Sequence, residues 1–212
     1  MKKIIMFDLD GTLLNTSTGV EEAVRIMLSK NNLKPNVPLK KFVGPPLYES
    51  LMKYCNLSKE DAVLLTNEFR AIYKDKTLFK AEIYEGIIDC LKKLSAYFIL
   101  TVVTNKSHDN AVSIINHFML SKYFSEVIGT DLDCKLHKSD LINQVLNNFN
   151  IKKSDCLYIG DSKSDLMAAQ ISQVDFLGVS YGFGFKPNET ECLLFSSPNL
   201  LYEYIINKYL SN

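Results

Sequence analysis

The chain has 212 residues, 47% of them hydrophobic and 23% charged, proportions that exclude a disordered or fibrous protein and allow one substantial domain with a smaller insert. Lys plus Arg and Asp plus Glu stand at 24 each, a formal net charge of zero, which excludes a general attraction to nucleic acid or anionic lipid. The five cysteines, with no C-x-x-C pair, point to a reducing, cytoplasmic setting rather than a disulfide framework. The apolar run after Met1-Lys2-Lys3 stops at Asp8, too short for a signal peptide, and no stretch approaches the ~20 apolar residues of a membrane span.

Taken in order, Ile4-Ile5-Met6-Phe7 is an unbroken apolar run that reads as a strand buried on both faces, with Asp8-Leu9-Asp10-Gly11 as the loop at its end. Consecutive helices with no strand follow over 20–29, 47–55 and 62–73. The last is preceded by Ser58-Lys59-Glu60-Asp61, an N-cap residue with an acid three positions on. A helix over 86–94 lines up Ile87, Cys90, Leu91 and Leu94, and further helices are expected over 111–119 and 140–149. Strands are expected over 98–103, 156–159 and 174–179, with a weaker one over 126–129. Strand and helix in alternation predict an α/β fold with a Rossmann-like, doubly wound parallel sheet, and ligands bind such sheets beyond the carboxyl ends of the strands. The all-helical stretch after the first strand reads as an inserted cap over 17–80, leaving 1–16 and 81–212 as the core. Hinges are expected at 15–19 and 80–85.

The polar clusters fall at those carboxyl ends. Asp8 and Asp10, two residues apart after a buried strand, can converge on one dication or divide the work of nucleophile and acid–base catalyst. A calcium-binding EF-hand loop counted from Asp8 would need Gly at position six and Glu at position twelve, where Leu13 and Gly19 stand. Thr104-Asn105-Lys106 closes another strand, where a hydroxyl and backbone amides can bind phosphate oxygens if a helix starts at Ser107. Lys135-Leu136-His137-Lys138 precedes the helix over 140–149, and a lysine there would offset phosphoryl and carboxylate charge. Gly160-Asp161-Ser162-Lys163-Ser164-Asp165 adds two more carboxylates. With Asp8 and Asp10, Asp161 and Asp165 would make an oxygen-rich site suited to Mg²⁺.

On these clusters the chain resembles the haloacid dehalogenase superfamily over nearly its whole length. Asp8-Leu9-Asp10-Gly11-Thr12 fits that family's first motif, Thr104-Asn105 the second, and Gly160 to Asp165 the fourth. The helical insert is similar to the C1 caps of the phosphoglycolate phosphatase-like branch. Gly44-Pro45-Pro46-Leu47, Tyr84-Glu85-Gly86 and Tyr181-Gly182-Phe183-Gly184 resemble its 5′-nucleotidase-like members. The resemblance implies an aspartyl-phosphate enzyme in which Asp8 is the nucleophile and Asp10 the acid–base. It implies Mg²⁺ held by Asp8, the Asp10 carbonyl and Asp161, with Asp165 in support through water. Thr104, the Asn105 amide and a lysine would bind the phosphoryl oxygens. Many relatives carry Lys-Pro-x-Pro at the third motif, absent here. Lys138, just before the helix, is the favoured lysine and Lys135 the reserve.

The expected activity is hydrolysis of a small phosphorylated metabolite: phosphoglycolate, a nucleoside monophosphate or a sugar phosphate. A β-phosphoglucomutase-like phosphomutase shares nearly all the motifs, and a phospho-acceptor signalling domain is the non-enzymatic alternative. A dehalogenase needs neither Asp10 nor the Asp161/Asp165 pair. No nucleic-acid or membrane partner is expected, and a monomer or homodimer is compatible. Arg25, Lys53 and Arg70 are cations of the insert that read first as solvated helix faces.

Overall fold

The computed structural model describes residues 2–130, 136–189 and 191–210; Lys135, the reserve lysine, and Cys134 lie outside them. In chain order the elements are β1 (Ile4–Phe7), β2 (Leu14–Asn15), α1 (Ser17–Lys30), α2 (Leu47–Cys55), α3 (Lys59–Ile72), β3 (Glu82–Ile83) and α4 (Ile87–Leu94). They continue with β4 (Ile99–Ser107), α5 (His108–His117), β5 (Glu126–Thr130), α6 (Lys138–Asn148) and β6 (Cys156–Gly160). α7 (Lys163–Ser172), β7 (Asp175–Val179), β8 (Leu194–Phe195) and α8 (Pro198–Tyr209) complete the chain. The chain forms two compact units, one of residues 1–14 and 83–212 and the other of residues 15–82.

The larger unit holds a six-stranded sheet in the order β5-β4-β1-β6-β7-β8, and every pair in it is parallel. All four side chains of β1 are fully buried, which is why its sequence is an unbroken apolar run rather than an alternation. Ile4 pairs with Ile99 on one side and Cys156 on the other, and Phe7 with Val102 and Ile159. One face of the sheet closes over Ile4, Met6, Val103 and Tyr158 with Leu141, Ile142 and Val145 of α6 and Ala168 and Ala169 of α7. α5 packs against β4 and β5, and α4 against α8. Strand order reverses between β1 and β6, so the crevice beyond their carboxyl ends is the topological switch point of the sheet.

The smaller unit is helical. α1 buries Ala23, Val24, Met27 and Leu28, the i, i+1, i+4, i+5 face of an amphipathic helix. Phe42 packs edge-on against Tyr54 at 5.5 Å between ring centroids. The expected cap of α3 is present: Ser58 Oγ accepts the Asp61 amide at 3.1 Å. Of the three cations singled out here, Arg25, Lys53 and Arg70 are all exposed.

Some elements extend past their predicted limits. β4 continues through Asn105 and Lys106 to Ser107, because pairing with β5 resumes at Ser107↔Thr130 after a register shift. Apolar runs end where burial ends, whereas backbone pairing does not require apolar side chains. α7, β8 and α8 lie in stretches whose periodicity gave no expectation.

Candidate active site

The predicted acidic clusters and Thr104–Lys106 sit at the carboxyl ends of β1, β6 and β4 of the larger unit, and Lys138 begins α6. Asp8 follows β1 directly, and its amide donates to the Ile159 carbonyl at 2.8 Å. The chain then folds back tightly, with the amides of Thr12, Leu13 and Leu14 all donating to the Leu9 carbonyl at 3.0–3.3 Å. Gly11 stands in this turn at φ +84°, and a Cβ there would overlap the Asp161 carboxylate. Glycine is therefore what lets the first acidic loop and the loop after β6 approach each other.

The approach brings Asp8, Asp161 and Asp165 together, with one carboxylate oxygen of each within 4.8 Å of the others. They are 5%, 4% and 0% exposed. Lys138, the first residue of α6 and 7% exposed, lies among them. Its Nζ donates to Asp8 Oδ1 at 2.9 Å and to Asp165 Oδ1 at 2.5 Å. These two carboxylates raise the Lys138 ammonium above its ordinary pKa, although burial acts in the opposite direction as the larger single influence.

Asp165 is saturated by protein donors. Its Oδ1 also lies 3.1 Å from the Tyr158 hydroxyl, which can alternatively donate to the Val103 carbonyl at 3.0 Å. Its Oδ2 accepts the Ser162 amide at 3.0 Å and the Ser162 hydroxyl at 2.6 Å. Ser162 and Asp165 thereby form the reciprocal capping box that starts α7. Asp161 is held differently: its Oδ2 accepts the amides of Phe183 at 2.6 Å and Gly184 at 3.1 Å. Asp161 Oδ1 and Asp8 Oδ2 accept no hydrogen bond among the described residues.

The electrostatic consequence is an excess of negative charge. Desolvation, and then the charges of Asp165, Asp161 and Asp10, push the Asp8 carboxyl up to about 8 despite Lys138. Desolvation and Asp165 push Asp161 up to about 6 against the pull of its two amide donors. Hard, desolvated carboxylate oxygens with free lone pairs and too little positive charge are the donor set a divalent cation of the Mg²⁺ kind requires. The residues present fit such an ion.

The remaining predicted residues lie at the end of β4. Thr104 is 1% exposed, and its Oγ1 accepts the Lys106 amide at 3.2 Å; Asn105 is exposed. Asp10 is partly exposed and does not join the Asp8–Asp161–Asp165 group. Its Oδ1 forms an ion pair with Lys106 Nζ at 3.1 Å.

Sequence reading gave no role at the site to three parts of this constellation. Lys106 belongs to the Thr104-Asn105-Lys106 cluster, but nothing local marks a lysine that will cross to another strand's loop. Tyr158 lies inside an apolar run, and its hydroxyl in an otherwise apolar strand was the available signal. The Phe183 and Gly184 amides are invisible to side-chain reading, although the glycines at 182 and 184 hint at close backbone approach.

Residues 5–179 match the model of the family described as haloacid dehalogenase-like hydrolase. A 5′-nucleotidase of Pseudomonas aeruginosa is 32% identical over 184 residues, covering 85% of this chain and 83% of the relative. A phosphoglycolate phosphatase of Psychrobacter arcticus is 30% identical over 229 residues, covering 100% of this chain and 99% of the relative. Among solved structures, a predicted phosphatase from Clostridium acetobutylicum superposes with a TM-score of 0.88 at 33% identity, covering 98% of this chain and 99% of that one. No helix among the described residues is long and apolar enough to cross a membrane.

Proposed function

The chain belongs to the haloacid dehalogenase-like hydrolase family, and on that premise we propose that it is a Mg²⁺-dependent phosphomonoesterase working through an aspartyl-phosphate on Asp8. The observation that carries this reading is the meeting of Asp8, Lys138 and two further buried carboxylates at the switch point of the sheet. Phosphoryl transfer asks a protein mainly for positioning and for stabilisation of charge on the equatorial oxygens.

Asp8 attacks phosphorus in line. A carboxyl–phosphorus bond forms as the bond to the leaving oxygen breaks, and Asp10 gives that oxygen its proton. Water then attacks phosphorus and passes a proton to Asp10, and Asp8 is released as carboxylate together with inorganic phosphate. Lys138 balances charge at Asp8 while Asp165, held by four donors, fixes the lysine. Thr104 and the Asn105 amide bind the phosphoryl oxygens. Asp8, the Asp10 carbonyl and Asp161 would hold Mg²⁺, which supplies positive charge for an anionic nucleophile facing an anionic substrate. Asp165 supports that site from outside.

The helical unit of residues 15–82 acts in this reading as the cap that selects the substrate, a small phosphorylated metabolite. Phosphoglycolate and nucleoside monophosphates are the first to try, given what the relatives from Psychrobacter arcticus and Pseudomonas aeruginosa are named for. The test is phosphate release over a panel of phosphorylated metabolites, with Mg²⁺ and with chelator. Turnover should need the metal and disappear in Asp8→Asn, a loss of at least about 10³-fold, or roughly 4 kcal/mol. A fully active Asp8→Asn variant would discard the reading.

A further inference from the structure

β4 runs past Thr104 with a shift in register against β5 between Thr104 and Ser107, and an irregularity of this kind re-aims side chains at a strand end. The neighbouring strand accommodates it: at Gly129 a Cβ would stand 2.5 Å from the Lys106 carbonyl oxygen and 2.7 Å from the His108 amide nitrogen. The result is a lysine side chain only 8% exposed, with its ammonium 3.1 Å from Asp10 Oδ1. That oxygen is itself buried and accepts no hydrogen bond among the described residues. A desolvated ion pair constrains its partners more strongly than an exposed one.

We propose that Lys106 is a positioning residue for Asp10, holding its carboxyl in the orientation needed for proton transfer at the reacting centre. The proposal rests on the assignment of Asp8 and Asp10 made above. It predicts a split between the two chemical steps that a merely structural lysine would not produce. With p-nitrophenyl phosphate the leaving p-nitrophenolate departs as a stable anion, so transfer of the phosphoryl group to Asp8 needs no proton from Asp10. Hydrolysis of phospho-Asp8 does need Asp10, to take the proton of the attacking water as the phosphorus–Asp8 bond breaks.

The experiment is stopped-flow release of p-nitrophenolate by the full chain with Mg²⁺, for the parent, Lys106→Met, Lys106→Gln, Lys106→Arg and Asp8→Asn. Lys106→Met should keep a burst approaching one equivalent per protein and then turn over about 10- to 100-fold more slowly than the parent. Intact mass during turnover should show the protein carrying one phosphoryl group. Lys106→Arg should restore most of the turnover, since it returns a cation to Asp10. Loss of burst and turnover together, no change in either, or a raised KM at unchanged kcat would each overturn the proposal. So would failure of both Lys106→Met and Lys106→Gln to fold, judged by thermal unfolding, because the lysine would then belong to the architecture. Asp8→Asn separates the underlying assignment: neither burst nor turnover upholds it, whereas sustained turnover removes the nucleophile assignment and leaves the Lys106–Asp10 pair to be judged on its own variants.

Discussion

Replacing Lys138 with methionine removes the ammonium that, among the described residues, pairs with the buried carboxylates of Asp8 and Asp165. Methionine has similar length and no charge, so packing changes little and electrostatics change greatly. The lysine is 7% exposed and makes two ion pairs, at 2.9 and 2.5 Å, so its loss strands negative charge in a desolvated site. Breaking a buried pair from one side costs about 3–5 kcal/mol. At roughly 2–4 °C per kcal/mol for a chain of this size, that is a fall in Tm of about 6–20 °C. The assay is thermal unfolding in chelator at pH 7.5. The deficit should widen toward alkaline pH, and the sign follows from Asp8. Its folded pKa, about 8, lies above the ordinary 3.8, so between these values the folded state holds a proton that the unfolded state has lost. Stability therefore falls as pH rises through that window, at up to about 1.4 kcal/mol per pH unit. Without Lys138 the folded pKa of Asp8 rises further, which steepens the loss at the alkaline end. A variant melting within about 2 °C of the parent at pH 7.5, with no wider gap at alkaline pH, would refute the reasoning.

Mg²⁺ should stabilise the folded chain by about 2.7 kcal/mol when present at a hundred times its dissociation constant; unfolding curves that coincide with and without the ion would argue against a divalent site at Asp8 and Asp161. Gly11→Ala should destabilise by at least about 1–2 kcal/mol, because alanine is strained at φ +84° and its Cβ meets the Asp161 carboxylate. Phosphate release should fall with it, and an Ala variant as stable and active as the parent would show that the two loops need no close approach. Ser162→Ala should cost about 1 kcal/mol through the lost cap of α7, read as a downward shift in the denaturation midpoint with an unchanged slope.

Much of this was legible in the chain itself, because its signals are local. β1 is readable because a strand covered on both faces must be apolar at every position, and Ile4-Ile5-Met6-Phe7 is. The acidic loops are readable because Asp8, Asp10, Asp161 and Asp165 each follow such a run closely, and the cap of α3 because Ser58 and Asp61 are three residues apart. What tertiary structure alone decided is which distant groups face one another. Lys138 meets Asp8 across 130 positions of sequence, and Asp161 takes its amide donors from 22 and 23 residues on. Asp165 turns out to be consumed by Lys138, Tyr158 and Ser162, and Lys106 to pair with Asp10. Local periodicity carries no information about these pairings. They are set by strand order and by the register shift between β4 and β5, features that exist only once the sheet has formed.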